Sequence, residues 1–237
     1  MIILAIDTTA NTSSIAVVSE TEIIGEFTIN YKKTHSQTLM PMIEHLLKTI
    51  EIDISDIDFV ACSCGPGSFT GLRIGGATAK AIAHGAGIPI VPVPTLDSLA
   101  YNIFEEKKLI VPIMDARRNQ VYSAIYEKKN EKIERLTEYM AEDIEEVLNM
   151  VKNYEKEAIF LGDGVTVFRE AIEREKYSIP PINMRLQKGS SVGVLAIDLI
   201  NEKKYVKYNE LSLIYIRKSQ AEREYERRLE NAQSSAI

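Results

Sequence analysis

The stretch LAIDTTANTSSIAVV, residues 4–18, decides the fold, because PIMDARRNQVYSAIY, residues 112–126, says the same thing again. In each, an apolar run ends on an aspartate, a polar turn follows, and a second apolar run begins. Ala16 stands nine residues after Asp7, and Ala124 nine after Asp115. Two strand–aspartate–turn–strand units, each followed by further strand and helix, predict duplicated lobes of mixed sheet with helices outside. Chance likeness of two hairpins is the alternative.

Working outward, residues 2–6, 14–18 and 23–29 are β-branched runs parted by polar turns, the pattern of an antiparallel meander. Leu39, Met40, Ile43, Leu46, Leu47 and Ile50 then recur at steps of three and four and predict a helix over 36–50, where Pro41 is tolerable only in the first turn. Residues 59–64 read as a buried strand, Gly65-Pro66-Gly67 as a loop, 68–84 as a helix capped by Ser68 or Thr70, and 90–93 as another buried strand. Strand, helix, strand implies parallel pairing. The second cycle offers strands at 109–114, 120–127 and 132–136, a helix over 142–151, a strand at 158–161, a helix to about 175 and another over 190–201. An amphipathic tail helix over 217–230 carries a seam of Ala221, Tyr225 and Leu229. The division falls at the charged connector 105–108, giving lobes 1–104 and 105–237.

Composition narrows the function. With 45% hydrophobic and 26% charged residues over 237, the chain has the make-up of a globular protein, which excludes disorder and disulfide-scaffold classes. A net charge of −6, from 28 basic and 34 acidic residues, leaves no surplus to neutralise phosphates, so autonomous nucleic-acid binding is not expected. Residues 1–104 hold only five basic side chains against ten acidic ones, so positive surface must come from the second half. No run approaches the ~20 apolar residues of a membrane helix, and the start lacks a basic leader segment; a cytosolic chain is expected, with no membrane partner. Cys62 and Cys64, two apart in a strand, are poorly placed for a disulfide and read as core.

The most informative segment chemically is GPGSFTGLRIG, residues 65–75. It misses both phosphate motifs it approaches: Ala77 stands where a Walker loop needs lysine, and Thr70 where the dinucleotide fingerprint needs its third glycine. Gly71, Gly75 and Ala79 recur every four residues and make a face almost free of side chain. Glycine within a helix costs about 1 kcal/mol against alanine, so close approach of another helix is expected, either 36–50 of this chain or a helix of a partner. Asp7, Thr8 and Thr9 at a strand end, with Gly162 and Gly164 in the second lobe, are candidates for a vestigial nucleotide site; turn formation explains the same residues. His35, His45 and His84 form no ligand pair at helical spacing, and Ser63 and Ser68 lack a nucleophile-elbow frame, so neither a metal nor a catalytic triad is expected.

ILAIDTT at the start, HSQTLMPMI at 35–43, GPGSFTGLRIG, VPTLDSLA at 93–100, MDARRNQVY at 114–122 and IYIRKSQAERE at 214–224 together resemble the TsaB family, accessory subunits of bacterial tRNA threonylcarbamoyladenosine biosynthesis. The resemblance implies two ribonuclease-H-like lobes of the sugar kinase, heat-shock and actin superfamily, α/β with mixed sheets and flanking helices. It implies a catalytic paralogue, TsaD, which transfers threonylcarbamoyl to the adenosine beside the anticodon, and an ATPase partner, TsaE. The chain itself would be a non-catalytic subunit without cofactor, reaching tRNA only through the complex. In the paralogue an HxxxH pair holds the metal; here the matching segment is Thr95-Leu96-Asp97-Ser98-Leu99, with Thr and Leu in place of both imidazoles, which argues against the metallopeptidase label the family has carried. The resemblance further implies that the helices of 36–50 and 68–84 contact the paralogue, or a second copy when the chain is alone. Leu39, Ile43, Leu46, Leu72, Gly75 and Ala79 are the expected contacts, and Gly75→Leu is expected to abolish pairing without unfolding the monomer. The rival from another class is a small-molecule kinase or ATPase of the same superfamily, using Asp7, Thr8, Thr9 and the 162–164 turn.

Overall fold

The computed structural model describes residues 1–31, 34–130 and 132–217. Strands β1 (Ile2–Asp7), β2 (Ser13–Ser19) and β3 (Ile23–Ile29) form the meander, followed by α1 (His35–Thr49), β4 (Phe59–Gly65), α2 (Phe69–Ala86) and β5 (Ile90–Pro94). They make a five-stranded sheet in the order β3-β2-β1-β4-β5, antiparallel in the meander and parallel from β1 through β4 to β5. The period of two along β1 sorts its side chains: Leu4 and Ile6 join the core under α1 and α2, while Ile3 and Ala5 face the opposite side. Ser68 caps α2 by accepting from the Gly71 N–H, and Gly87 ends it at φ 70°. Pro41 lies beyond the first turn of α1, on its exposed side, contrary to the sequence expectation.

The first half closes with the short helix α3 (Thr95–Ala100), and the second runs β6 (Leu109–Asp115), β7 (Gln120–Ser123), β8 (Tyr126–Lys129), β9 (Lys132–Arg135), β10 (Met140–Asp143), α4 (Ile144–Lys152), β11 (Ala158–Leu161), α5 (Gly164–Arg174) and α6 (Gly189–Asn201). Here β6, β7, β10, α4, β11 and α5 repeat the order and pairing sense of β1, β2, β3, α1, β4 and α2. The duplication is therefore one of topology. The equal Asp-to-Ala spacing is not positional equivalence: Asp7 pairs with Ser14 but Asp115 with Val121, so the second turn is one residue shorter, and Ala124 lies beyond β7. The strand expected over 120–127 breaks where the Thr137 side chain accepts from the Ile125 N–H at 3.0 Å, and the hairpin β8–β9 is extra to the repeat. The short helix α3 was not foreseen. Of the expected tail helix, all but Arg217 lies outside the described residues.

Each open sheet has an apolar face that needs cover, and the chain supplies it across the expected boundary at 104. From the second half, α6 lays Val192, Leu195 and Ala196 on Ile3, Ala5 and Ala16 of the first sheet. From the first half, α3 packs Leu96, Leu99 and Ala100 against Ile110, Met114 and Tyr126. Among the described residues, no helix is long and apolar enough to cross a membrane.

Candidate functional site

The Asp7–Thr9 turn and the glycines of α2 meet face to face. Asp7, Thr8 and Thr9 are all buried. The Thr9 N–H and hydroxyl donate to Asp7 Oδ1 at 2.9 and 2.7 Å, Ser63 Oγ donates to Asp7 Oδ2 at 2.6 Å, and Thr8 Oγ1 donates to the Gly71 carbonyl at 2.8 Å. Burial pushes the Asp7 carboxyl above its ordinary range, while the Ser63 and Thr9 bonds and the nearby His35 pull the other way. A Cβ on Gly71 would stand 1.9 Å from the Thr8 carbonyl oxygen, one on Gly75 2.4 Å from Thr8 Oγ1, and one on Gly67 2.6 Å from the Thr9 carbonyl oxygen. Missing side chains thus let α2 close on the end of β1.

This corrects two expectations. Within the chain, the close neighbour of Gly71 and Gly75 is the Thr8–Thr9 turn rather than α1. The six expected contact residues Leu39, Ile43, Leu46, Leu72, Gly75 and Ala79 are buried in the chain's own first lobe. An amphipathic helix turns its apolar stripe inward, so these residues make core and not docking surface. Gly75→Leu accordingly strikes the fold itself. The nucleotide-site reading fares no better, because Asp7, Thr8 and Thr9 are spent on one another and on α2. Gly162, at φ 105°, and Gly164 serve close packing in the second lobe, where added Cβ atoms would lie 2.1 and 3.0 Å from the Ile113 carbonyl oxygen.

What α1 and α2 turn outward is different. On α1, Ser36, Gln37, Met40, Pro41, Glu44 and Lys48 are exposed, with Met40 at 52%. On α2 the exposed positions include Thr70, Arg73, Ala77 and Ala81. One flank of α2 is covered by residues 208–215: Phe69 stacks on Tyr215 with centroids 4.7 Å apart, Leu213 lies against Gly76, and His84 tilts on Tyr208 at 4.3 Å. Ile214 donates its N–H to the Cys64 carbonyl at 2.7 Å, tying this strap to the end of β4.

The segment 95–99 is structural. Thr95 Oγ1 accepts from the Gly65 N–H at 3.1 Å, and Leu96 and Leu99 are core. Asp97 Oδ1 accepts from Tyr126 and Tyr139 at 2.7 and 2.9 Å, and burial raises its pKa against those bonds. Cys62 and Cys64 are free and buried, and burial pushes the Cys64 thiol up to about 12. His35 Nε2 bonds the Ala10 carbonyl at 2.8 Å. Among the described residues, no group of three His, Cys, Asp or Glu side chains is placed to hold a metal ion. The tyrosine-bound Asp97 was missed from sequence because its partners lie roughly thirty and forty residues away.

Fold and site together define an α/β protein of duplicated topology, mixed sheets flanked by helices, whose first-lobe turn is sealed by its own helix. Solved structures agree on the fold: a Pseudomonas aeruginosa protein described as similar to peptidase YeaZ superposes with TM-score 0.76 at 22% identity, over 91% of this chain and 99% of that one. The activator of 2-hydroxyisocaproyl-CoA dehydratase from Clostridium difficile does so with TM-score 0.51 at 12% identity, over 91% and 100%. The family model for TsaD, tRNA N6-adenosine threonylcarbamoyltransferase, matches residues 22–225. The tRNA threonylcarbamoyladenosine biosynthesis protein TsaB of Bacillus subtilis is 38% identical over 173 residues, 73% of this chain and 76% of that protein. The chain belongs to the TsaB family.

Proposed function

We propose that this chain is a non-catalytic subunit in tRNA threonylcarbamoyladenosine biosynthesis, acting by docking onto the catalytic paralogue TsaD, with TsaE as the ATPase partner. The docking surface is the outward face of α1 and α2, with Met40, Arg73, Ala77 and Ala81 in place of the buried residues expected from sequence. Small residues at 77 and 81 permit a close helix approach, and Met40 adapts to irregular surfaces. Alone, the chain pairs with a second copy through the same face, in competition with TsaD. It reaches tRNA only through the complex.

The observation that carries the non-catalytic reading is the use of 95–99 as packing: Thr95 is spent on the Gly65 N–H and Leu99 lies in the core, where the catalytic relative needs two imidazoles. The kinase or ATPase reading is disfavoured by the burial of Asp7, Thr8 and Thr9. The test is reconstitution of TsaD and TsaE on unmodified tRNA, with and without this chain. Modification is expected only when the chain is present, and is expected to be lost with Ala77→Arg, whose melting should match the parent. Full modification without the chain, or ATP turnover by the chain alone, would contradict the proposal.

A further inference from the structure

A groove of about 710 Å³ lies along the β5 edge of the first sheet, between β5 and α6 of one wall and β8–β9 of the other. Its size suits a small organic ligand. Its lining is unusual for a surface groove. Asp97 lies among Tyr101, Tyr126, Tyr139 and Tyr205, with Arg135 and Lys203 beside them.

Asp97 spends Oδ1 on the two tyrosine hydroxyls, with the Arg135 guanidinium 4.0 Å away; no described residue donates a hydrogen bond to Oδ2. An acceptor of that kind, in a lining of aromatic rings, suits a ligand N–H. Arg135 lies over the Tyr139 ring at 3.9 Å, which fixes a cation near the carboxylate. Lys204 is paired with Glu202, whereas Lys203 has no ion pair among the described residues. Tyr205 is 43% exposed.

These features exclude most ligand classes. A metal ion has a single carboxylate here, opposed by cations. Arg135 also pairs with the exposed Glu138 at 3.8 Å; a purely apolar ligand leaves Asp97 Oδ2 and Lys203 unmatched, and a bare anion is repelled by Asp97. A nucleotide matches all of them: a flat base for the tyrosines, a base N–H for Asp97 Oδ2 and a phosphate for Arg135 and Lys203. We propose that this groove binds a nucleotide, either free in solution or as an unstacked residue of an RNA strand. The site is separate from the Asp7–Thr9 turn and from the docking face, so it stands or falls independently of the subunit reading.

The test is calorimetric titration of the full chain with AMP, GMP, CMP and UMP, and with a short single-stranded RNA oligomer. Saturable one-to-one binding of at least one of these is expected. The double variant Arg135→Glu, Lys203→Glu should weaken it at least about tenfold, equivalent to about 1.4 kcal/mol. Asp97→Asn should weaken the nucleotide without weakening inorganic phosphate, from which it removes a repelling charge. Both substituted cations are surface residues, so their variant reports even if Asp97→Asn fails to fold. Preference for the mononucleotide or the oligomer identifies the source. Absence of saturable binding to all five probes, binding indifferent to the charge reversal, or equal competition by inorganic phosphate would each overturn the proposal.

Discussion

The two aspartate turns, built on the same topology, have been settled in opposite ways. Asp7 is fully buried and accepts three hydrogen bonds, and the glycines of α2 close on the next residue of its turn, Thr8. Asp115 remains partly exposed, accepts from its own Arg117 N–H at 2.8 Å and pairs with that arginine's guanidinium at 3.3 Å. Beyond it Arg117, Arg118 and Asn119 all take left-handed backbone, with φ of 66°, 56° and 65°, held where Asn119 donates to both oxygens of Asp143. The lesson is that helix composition decides the fate of a turn. Where the following helix is bare, it closes on the turn; where it is not, the turn stays at the surface and stabilises itself locally.

The harshest way to break this contrast is Gly75→Leu. A leucine must pass through Thr8, so loss of cooperative unfolding, or a drop beyond the about 1–3 kcal/mol usual for overpacking, is expected in urea melts. Ser63→Ala comes next: it strips a donor from Asp7 and should cost about 1–3 kcal/mol, the penalty of leaving a buried acceptor unsatisfied. A pH series sharpens the second lobe. Burial, more than the nearby Asp115, lifts Asp163 to about 6. Because its folded pKa exceeds the unfolded one, the native state holds the extra proton, and Asp163's contribution to stability falls as pH rises from about 4 through 6. Asp163→Asn should flatten that fall; a parallel pH profile for variant and parent counts against it. The mildest case is Asp115→Asn, which touches an ion pair with a largely exposed arginine and should cost under about 1 kcal/mol by the same melts.

Much of this was readable from sequence wherever the signal was local. The strand at 158–161, the meander and the glycine helix followed from runs and periods of a few residues. The small residues Gly71, Gly75 and Ala79, four apart, correctly signalled a close approach. What approached was not legible, because Thr8 lies 63 residues from Gly71 in the chain. For the same reason Leu39, Ile43 and Leu46 formed a true stripe with the wrong destination: periodicity marks a face, and only packing says which way it points. Ala77 and Ala81, the outward small residues, stood in plain sight one step from the stripe. The crossing of α6 onto the first sheet and the tyrosines on Asp97 are long-range events that no local pattern announces.

The most direct test of the account is the rate of thiol labelling at Ala77→Cys, in dilute chain alone and with saturating TsaD. Both native cysteines are buried, so the background is low. Labelling typical of an exposed thiol is expected in the free chain, slowed at least about tenfold in the complex, as for loss of about 1.4 kcal/mol of access. An unchanged rate in a complex shown to be formed would contradict the claim that α2 keeps its bare face for itself and offers the other one to its partner.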